Sequence, residues 1–261
     1  MKTRVITAVV ALAIFIPIIL LGGFWIELAA MVLSIIAVGE IGLMKKRFAV
    51  SFEMMIAALG TLSIVVSSKY LSFLPKSFNN NALFLTFMFI LLIYTVVTHN
   101  NFSFDDAGIL TLGMIYVGVG FHYLVQARSV GLTTLLYLLI IVWSTDSGAY
   151  LIGRKIGQHK FAPRLSPNKT WEGSLGGIIV AVIISLIWIL IFPQKYGIFS
   201  MLFLTVILSI GDELGDLIES ALKRFYGVKD SGKILPGHGG ILDRFDSLLL
   251  VLPLAHLFGL I

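Results

Sequence analysis

Read for its alternation of apolar and polar positions, the chain is a succession of apolar stretches of 17 to 25 residues separated by polar breaks. A bilayer core of about 30 Å takes roughly 20 apolar residues as α-helix, and lipid tolerates only a backbone that satisfies its own hydrogen bonds. The pattern predicts about nine spans, near residues 5–22, 24–44, 51–67, 82–98, 107–127, 131–152, 173–192, 198–222 and 243–260. The expected fold class is an all-α, polytopic integral membrane protein.

No hydrophilic block between these stretches approaches the ~100 residues of a soluble domain, so a single membrane domain over 1–261 is expected. The start, MKTRVITAVVALAIFIPIILLGG, has the basic tip and apolar run of a secretory signal. It lacks a clear A-x-A site and runs directly into more apolar sequence, which predicts a retained first helix. Composition agrees: 58% of residues are hydrophobic and 13% charged, against about a quarter charged in an average soluble domain. With no cysteine, disulfides, thiol nucleophiles and cysteine metal sites are excluded.

The net charge of +5 is topological rather than a sign of nucleic acid, which is not an expected partner. With an odd number of spans and a cytoplasmic N-terminus, the C-terminus falls on the opposite side. Fifteen of the 19 Lys and Arg residues then lie in cytoplasmic segments, leaving Lys69, Lys76, Arg128 and Lys195 on the other face. Both long polar loops, 153–172 and 223–242, face the cytoplasm in this arrangement, where nucleotides are available.

Acidic residues are unevenly placed. Nine of the 14, from Asp146 to Asp246, fall in the last 116 positions. In SIGDELGDLIESALKR, Asp212, Asp216, Glu219 and Lys223 step by four, three and four and share one helix face. Acids within spans face a water-filled cavity or pair with cations or metals, so this stripe is a candidate site. For Glu219 alone, an i,i+4 ion pair with Lys223 explains the spacing equally well. In LDRFD, Asp243 and Asp246 point the same way at the start of a helix, as a grip on a hard cation or as N-terminal caps. Glu40, near the cytoplasmic end of the second span, is a cavity candidate of unassigned role, as are Asp212 and Glu213.

Between the acidic clusters, KDSGK and PGHGG carry Gly232, Gly237, Gly239 and Gly240, which permit sharp turns and close backbone approach to an anion. Upstream, WSTDSGAYLIGRKIGQHKFAPRLSPNKTWEGS brings Asp146, Ser166, Lys169, Thr170 and Glu172 into a second polar wall. It is not a phosphate-binding P-loop, because Asn168 stands where the glycine before the lysine belongs. Gly148, Gly153, Gly173, Gly176 and Gly177 read as close helix packing. His99, His122, His159 and His256 read as structural, whereas His238 suits either the site or a turn-stabilising hydrogen bond.

The stretch ESALKRFYGVKDSGKILPGHGGILDRFD resembles the C-terminal signature of the phosphatidate cytidylyltransferase (CDP-diacylglycerol synthase) family. The shared pattern falls on Ser220, Lys223, Arg224, Lys229, Asp230, Pro236 to Gly240, Asp243, Arg244 and Asp246. DSGAY at Asp146–Tyr150, SPNKTWEG at Ser166–Gly173 and GDLIES with Asp216 and Glu219 extend it upstream. The resemblance covers about 143–247 within a catalytic half at 143–261, while 1–142 matches it poorly.

The resemblance implies transfer of CMP from CTP to phosphatidic acid, giving CDP-diacylglycerol and pyrophosphate for phospholipid biosynthesis. It implies Mg²⁺, with room for a second cation, held by Asp216, Asp243 and Asp246, and a catalytic role for Lys223 and Arg244. Asp146, Ser166, Lys169, Thr170, Glu219, Ser220, Arg224, Lys229, Asp230 and His238 are the expected contacts to CTP or lipid phosphate. The expected setting is the inner (cytoplasmic) membrane with the site facing the cytoplasm, and a second copy of the chain is a candidate partner. Neighbouring readings are a CTP-dependent polyprenol or phytol kinase and an ether-lipid cytidylyltransferase. An ion-coupled transporter is the alternative of another class, disfavoured by the one-sided charge clusters.

Overall fold

A computed structural model describes residues 2–47, 50–75 and 77–261. Lys76, one of the four bases expected opposite the cytoplasm, lies outside the described residues. Among those described, the chain forms ten α-helices and no strand: α1 (Lys2–Leu21), α2 (Gly23–Met44), α3 (Phe52–Val65), α4 (Asn80–Val97), α5 (Phe104–Val130), α6 (Leu132–Ile156), α7 (Trp171–Ile191), α8 (Ile198–Phe225), α9 (Leu242–Phe245) and α10 (Leu248–Leu257). A 3-10 turn at Ser68–Leu71 follows α3.

Six helices, α2 and α4 to α8, are long and apolar enough to cross a membrane, and the protein is polytopic and all-helical. The other three expected spans correspond to α1, apolar over Val5–Leu21, and to the short apolar helices α3 and α10. At 14 residues, α3 rises only about 21 Å, less than a ~30 Å hydrocarbon core. The stretch expected to span 243–260 is divided, because the helical ladder is interrupted at Asp246–Ser247 and resumes for ten residues in α10.

Side-chain exposure follows a lipid solvent. Val96, Leu112, Leu190 and Phe203 point outward and are each more than 60% exposed, whereas Thr145, Ser185, Thr205 and Ser209 are fully buried. In water the first group would be costly, but in lipid an apolar exterior carries no such penalty.

The chain forms two compact units, Met1–Val125 with Asp230–Arg244, and Gln126–Lys229 with Phe245–Ile261. The first has a core of Val38, Met54, Leu91, Phe102, Leu110 and Met114. Asp106, in the first turn of α5, accepts from Ser103 N at 2.8 Å, from Arg47 Nη2 at 2.5 Å and pairs with Lys45, fastening the end of α2. In the second unit, α6 and α7 lie close because their facing residues are small. A Cβ added at Gly177 would stand 2.6 Å from Thr145 O, and one at Gly148 would stand 3.0 Å from Gly177 Cα. Tyr137 OH contacts Thr205 Oγ1 at 2.7 Å and Thr145 Oγ1 bonds to Ser209 Oγ at 3.0 Å, so buried hydroxyls join α6 to α8.

Candidate active site

The acidic stripe of α8 forms as its spacing predicts, and Gly215 determines what it meets. A Cβ at Gly215 would lie 2.8 Å from Ser247 Cα and 2.9 Å from Asp246 O, so only glycine lets α8 touch that backbone directly. Ser247 Oγ strengthens the contact by donating to the Asp212 carbonyl at 3.1 Å. This close approach brings Asp216, Glu219 and Asp246 together, with one carboxylate oxygen from each within 4.8 Å of the others. Such a set of hard oxygen donors matches what Mg²⁺ selects.

Basic groups surround the trio. Lys169 Nζ lies 2.8 Å from Asp216 Oδ2 and 2.5 Å from Glu213 Oε2, and Lys223 pairs with the fully buried Glu219 one turn earlier on α8. Burial works against the charged form of Lys169, but the Asp216 and Glu213 carboxylates outweigh it and hold its pKa above the usual 10.5. Ser220 Oγ bonds to Asp216 Oδ1 at 3.3 Å. Arg224 Nε donates to Leu165 O at 3.2 Å, tying the end of α8 to the 153–172 loop. Asp212, 1% exposed, makes no hydrogen bond through either carboxylate oxygen among the described residues, and the charge of Asp146 bears on both Asp212 and Asp246.

The 153–172 loop is folded by its own side chains. Thr170 caps α7, its Oγ1 accepting from Gly173 N at 3.1 Å, and Ser166 O accepts from Lys169 N at 3.3 Å. Glu172 accepts from Gln158 N and His159 N and contacts His159 Nδ1 at 2.5 Å, which gives His159 its structural role. Thr170 is thereby engaged in capping, while the Lys169 ammonium reaches the acids.

In the other unit the signature segment has a different organisation. Asp243, expected as the third metal ligand, has Oδ2 held by Ser231 N, Ser231 Oγ and Gly240 N, each at 2.8 Å. The converging trio contains Glu219 instead, a residue expected to contact substrate. The signal was present in the sequence, since Glu219 follows Asp216 by three on the same helix face. Arg244, Lys229 and Asp230 are exposed. His238 sits in a tight turn, its N–H donating to Leu235 O at 2.8 Å beside the Leu235–Gly239 bridge, with Nδ1 buried and making no hydrogen bond among the described residues. A cavity of about 560 Å³ lined by Ile64, Asn80, Phe84, His122 and Tyr123 contains none of the expected site residues.

Comparison with known proteins agrees with the signature. The family model described as the cytidylyltransferase family matches residues 2–261. Proteins named phosphatidate cytidylyltransferase from Staphylococcus saprophyticus and Staphylococcus aureus are each 44% identical over 257 residues, covering 98% of this chain and 98% of the relative. The protein of the same name from Staphylococcus epidermidis is 43% identical over the same length. The match extends through the first 142 residues, where the signature is silent. This chain belongs to the cytidylyltransferase family.

Proposed function

We propose that this protein transfers the cytidylyl group of CTP to phosphatidic acid, releasing pyrophosphate and leaving CDP-diacylglycerol in the membrane. The full-length similarity to proteins named for that reaction carries the reading, and the site chemistry supports it. A lipid phosphate monoester has a second pKa near 6 and is largely dianionic at neutral pH, so its attack on the α-phosphorus needs no strong base. Repulsion between two anions is the obstacle, and the site supplies positive charge against it.

Asp216, Glu219 and Asp246 would hold Mg²⁺, with Asp243 from the signature as a further candidate and Asp212 with Asp146 suited to a second cation. Bound there, the metal would neutralise charge on the phosphates and on the leaving pyrophosphate. Lys169 stays protonated at neutral pH and with Lys223 can meet phosphate oxygens, each exchanging a carboxylate partner for substrate. Arg224, Arg244 and Lys229 would extend the basic surface toward the triphosphate. Asp146, Ser166, Thr170, Ser220, Asp230 and His238 remain candidate contacts to nucleotide or lipid phosphate. The distribution of Lys and Arg supports a site facing the cytoplasm at the inner membrane, with nine spans and the termini on opposite sides.

The deciding experiment is incubation of the purified protein with labelled CTP, phosphatidic acid and Mg²⁺, with both products identified. CDP-diacylglycerol and pyrophosphate are expected. CDP with a phosphorylated lipid would replace this reading with a kinase, and cation-coupled uptake into liposomes without nucleotide turnover would replace it with a transporter. The mass of the active protein in detergent tests a homodimer in the same preparation.

A further inference from the structure

Glu40, on α2, lies nearly 200 residues from the signature segment and outside any motif in it. Its carboxylate is 2% exposed and its partners all come from that segment. Oε1 accepts from Ile241 N at 2.8 Å, and Oε2 accepts from Leu242 N at 2.8 Å and from Ser231 Oγ at 3.0 Å. The same Ser231 hydroxyl lies 2.8 Å from Asp243 Oδ2. Its single proton serves one acid at a time, so Glu40 and Asp243 share one serine as well as adjacent amides.

The glycines of the segment are shaped around this carboxylate. A Cβ at Gly232 would stand 2.5 Å from Glu40 Oε1, and one at Gly240 would collide with the Glu40 carboxylate. Two of the glycines that suggested close approach to a bound anion therefore approach an anion the protein supplies itself. Thr7 of α1 adds a second tie, its Oγ1 donating to Pro236 O at 3.0 Å. A buried carboxylate bound to two successive amides fixes both the position and the direction of the chain entering Asp243.

We propose that Glu40 is a positioning residue for the reaction: it holds the Ser231–Asp243 turn in register, so that the acids and bases of residues 243–246 are presented in one fixed arrangement. This role rests on the cytidylyltransferase reading only for its kinetic consequence. The contact is tested independently of activity.

The test uses the full-length protein in detergent with Glu40→Gln, Glu40→Asp, Ser231→Ala and the Glu40→Gln/Ser231→Ala pair. Hydrogen–deuterium exchange is followed by mass spectrometry, alongside kcat and KM for CTP at saturating Mg²⁺. Glu40→Gln presents an amide NH₂ where two donors expect an acceptor. It is expected to speed exchange in peptides covering 230–246 at least about tenfold, leaving α4 and α6 protected, and to lower kcat at least about tenfold with KM for CTP within threefold. Glu40→Asp should recover part of kcat. The double variant should lose no more than the worse single one, since both changes break one network.

Normal kcat in Glu40→Gln, or lost activity with unchanged exchange at 230–246, would overturn the proposal. Exchange rising throughout the chain in both Glu40 variants would reduce Glu40 to general support of the fold and overturn it equally. A wild-type protein with no CTP-dependent lipid product would sink the enzymatic reading, while the exchange data would still decide the contact.

Discussion

Asp216 and Asp246 come within reach of one cation because the residue before Asp216 has no side chain. Gly215 lets α8 rest on the backbone of Asp246 and Ser247, so the two acids are spaced by main chain rather than by flexible side chains. Neither neighbour can move aside as a rotamer can.

Gly215→Ala should therefore force helix and backbone apart. A destabilisation of about 1–3 kcal/mol is expected from overpacking, with a larger loss of turnover than the stability change explains. Gly108→Ala is the control, because its Cβ would meet nothing within 4 Å and the helix should gain about 0.5–1 kcal/mol. Thermal unfolding and initial rates on both variants check the pair. Equal behaviour of the two would show that the contact at Gly215 is immaterial.

Removing charge from the trio should stop the reaction without unfolding the protein. Asp216→Asn, Asp246→Asn and Glu219→Gln are each expected to lower kcat at least about 100-fold and to raise the Mg²⁺ concentration needed for half-maximal rate. Glu219→Gln is the most informative, since a contact to substrate alone would alter KM for CTP and leave the Mg²⁺ requirement unchanged.

Chelation makes a related point at the level of the whole site. EDTA should abolish lipid product and added Mg²⁺ should restore it, because the converging carboxylates of Asp216, Glu219 and Asp246 otherwise face the incoming phosphates with too few bases. Full turnover after exhaustive chelation would show that lysines and arginines suffice.

Lys169 gives a pH prediction. Its folded-state pKa lies above the ordinary 10.5, so its contribution to stability is fully present below the unfolded value and is lost only as pH rises through the folded one. The difference in unfolding free energy between wild type and Lys169→Met should therefore be constant from about pH 6 to 9, at about 3–5 kcal/mol for leaving the nearly buried Glu213 unpaired. Denaturant unfolding across that range measures it. A difference that shrinks as pH rises toward 9 would contradict the ion pair.

Much of this was legible before any coordinates. The 3.6-residue period placed Asp212, Asp216, Glu219 and Lys223 on one face, and the small-residue pattern pointed to close helix packing, which the structure realises between α6 and α7. Hydropathy located the long apolar helices but could not measure the short ones, since it does not register that the helical ladder stops at Val65 in α3 or breaks at Asp246–Ser247 before α10. The role of Asp243 was ambiguous for a physical reason: a carboxylate three residues after Gly240 suits a cap and a metal ligand equally well. Glu40 was beyond reach, because a contact 201 residues away in sequence leaves no local trace in either partner. Only its buried charge near a span end hinted that it had one.

The Glu40 contact also imposes an order on assembly. Synthesis runs from the N-terminus, so α2 is made well before the amides of Ile241 and Leu242 exist. At about 5–20 residues per second the interval is about 10–40 s. Throughout it the carboxylate must remain hydrated near the C-terminal end of its helix, and the last polar loop to leave the ribosome is the one that finally takes it out of water.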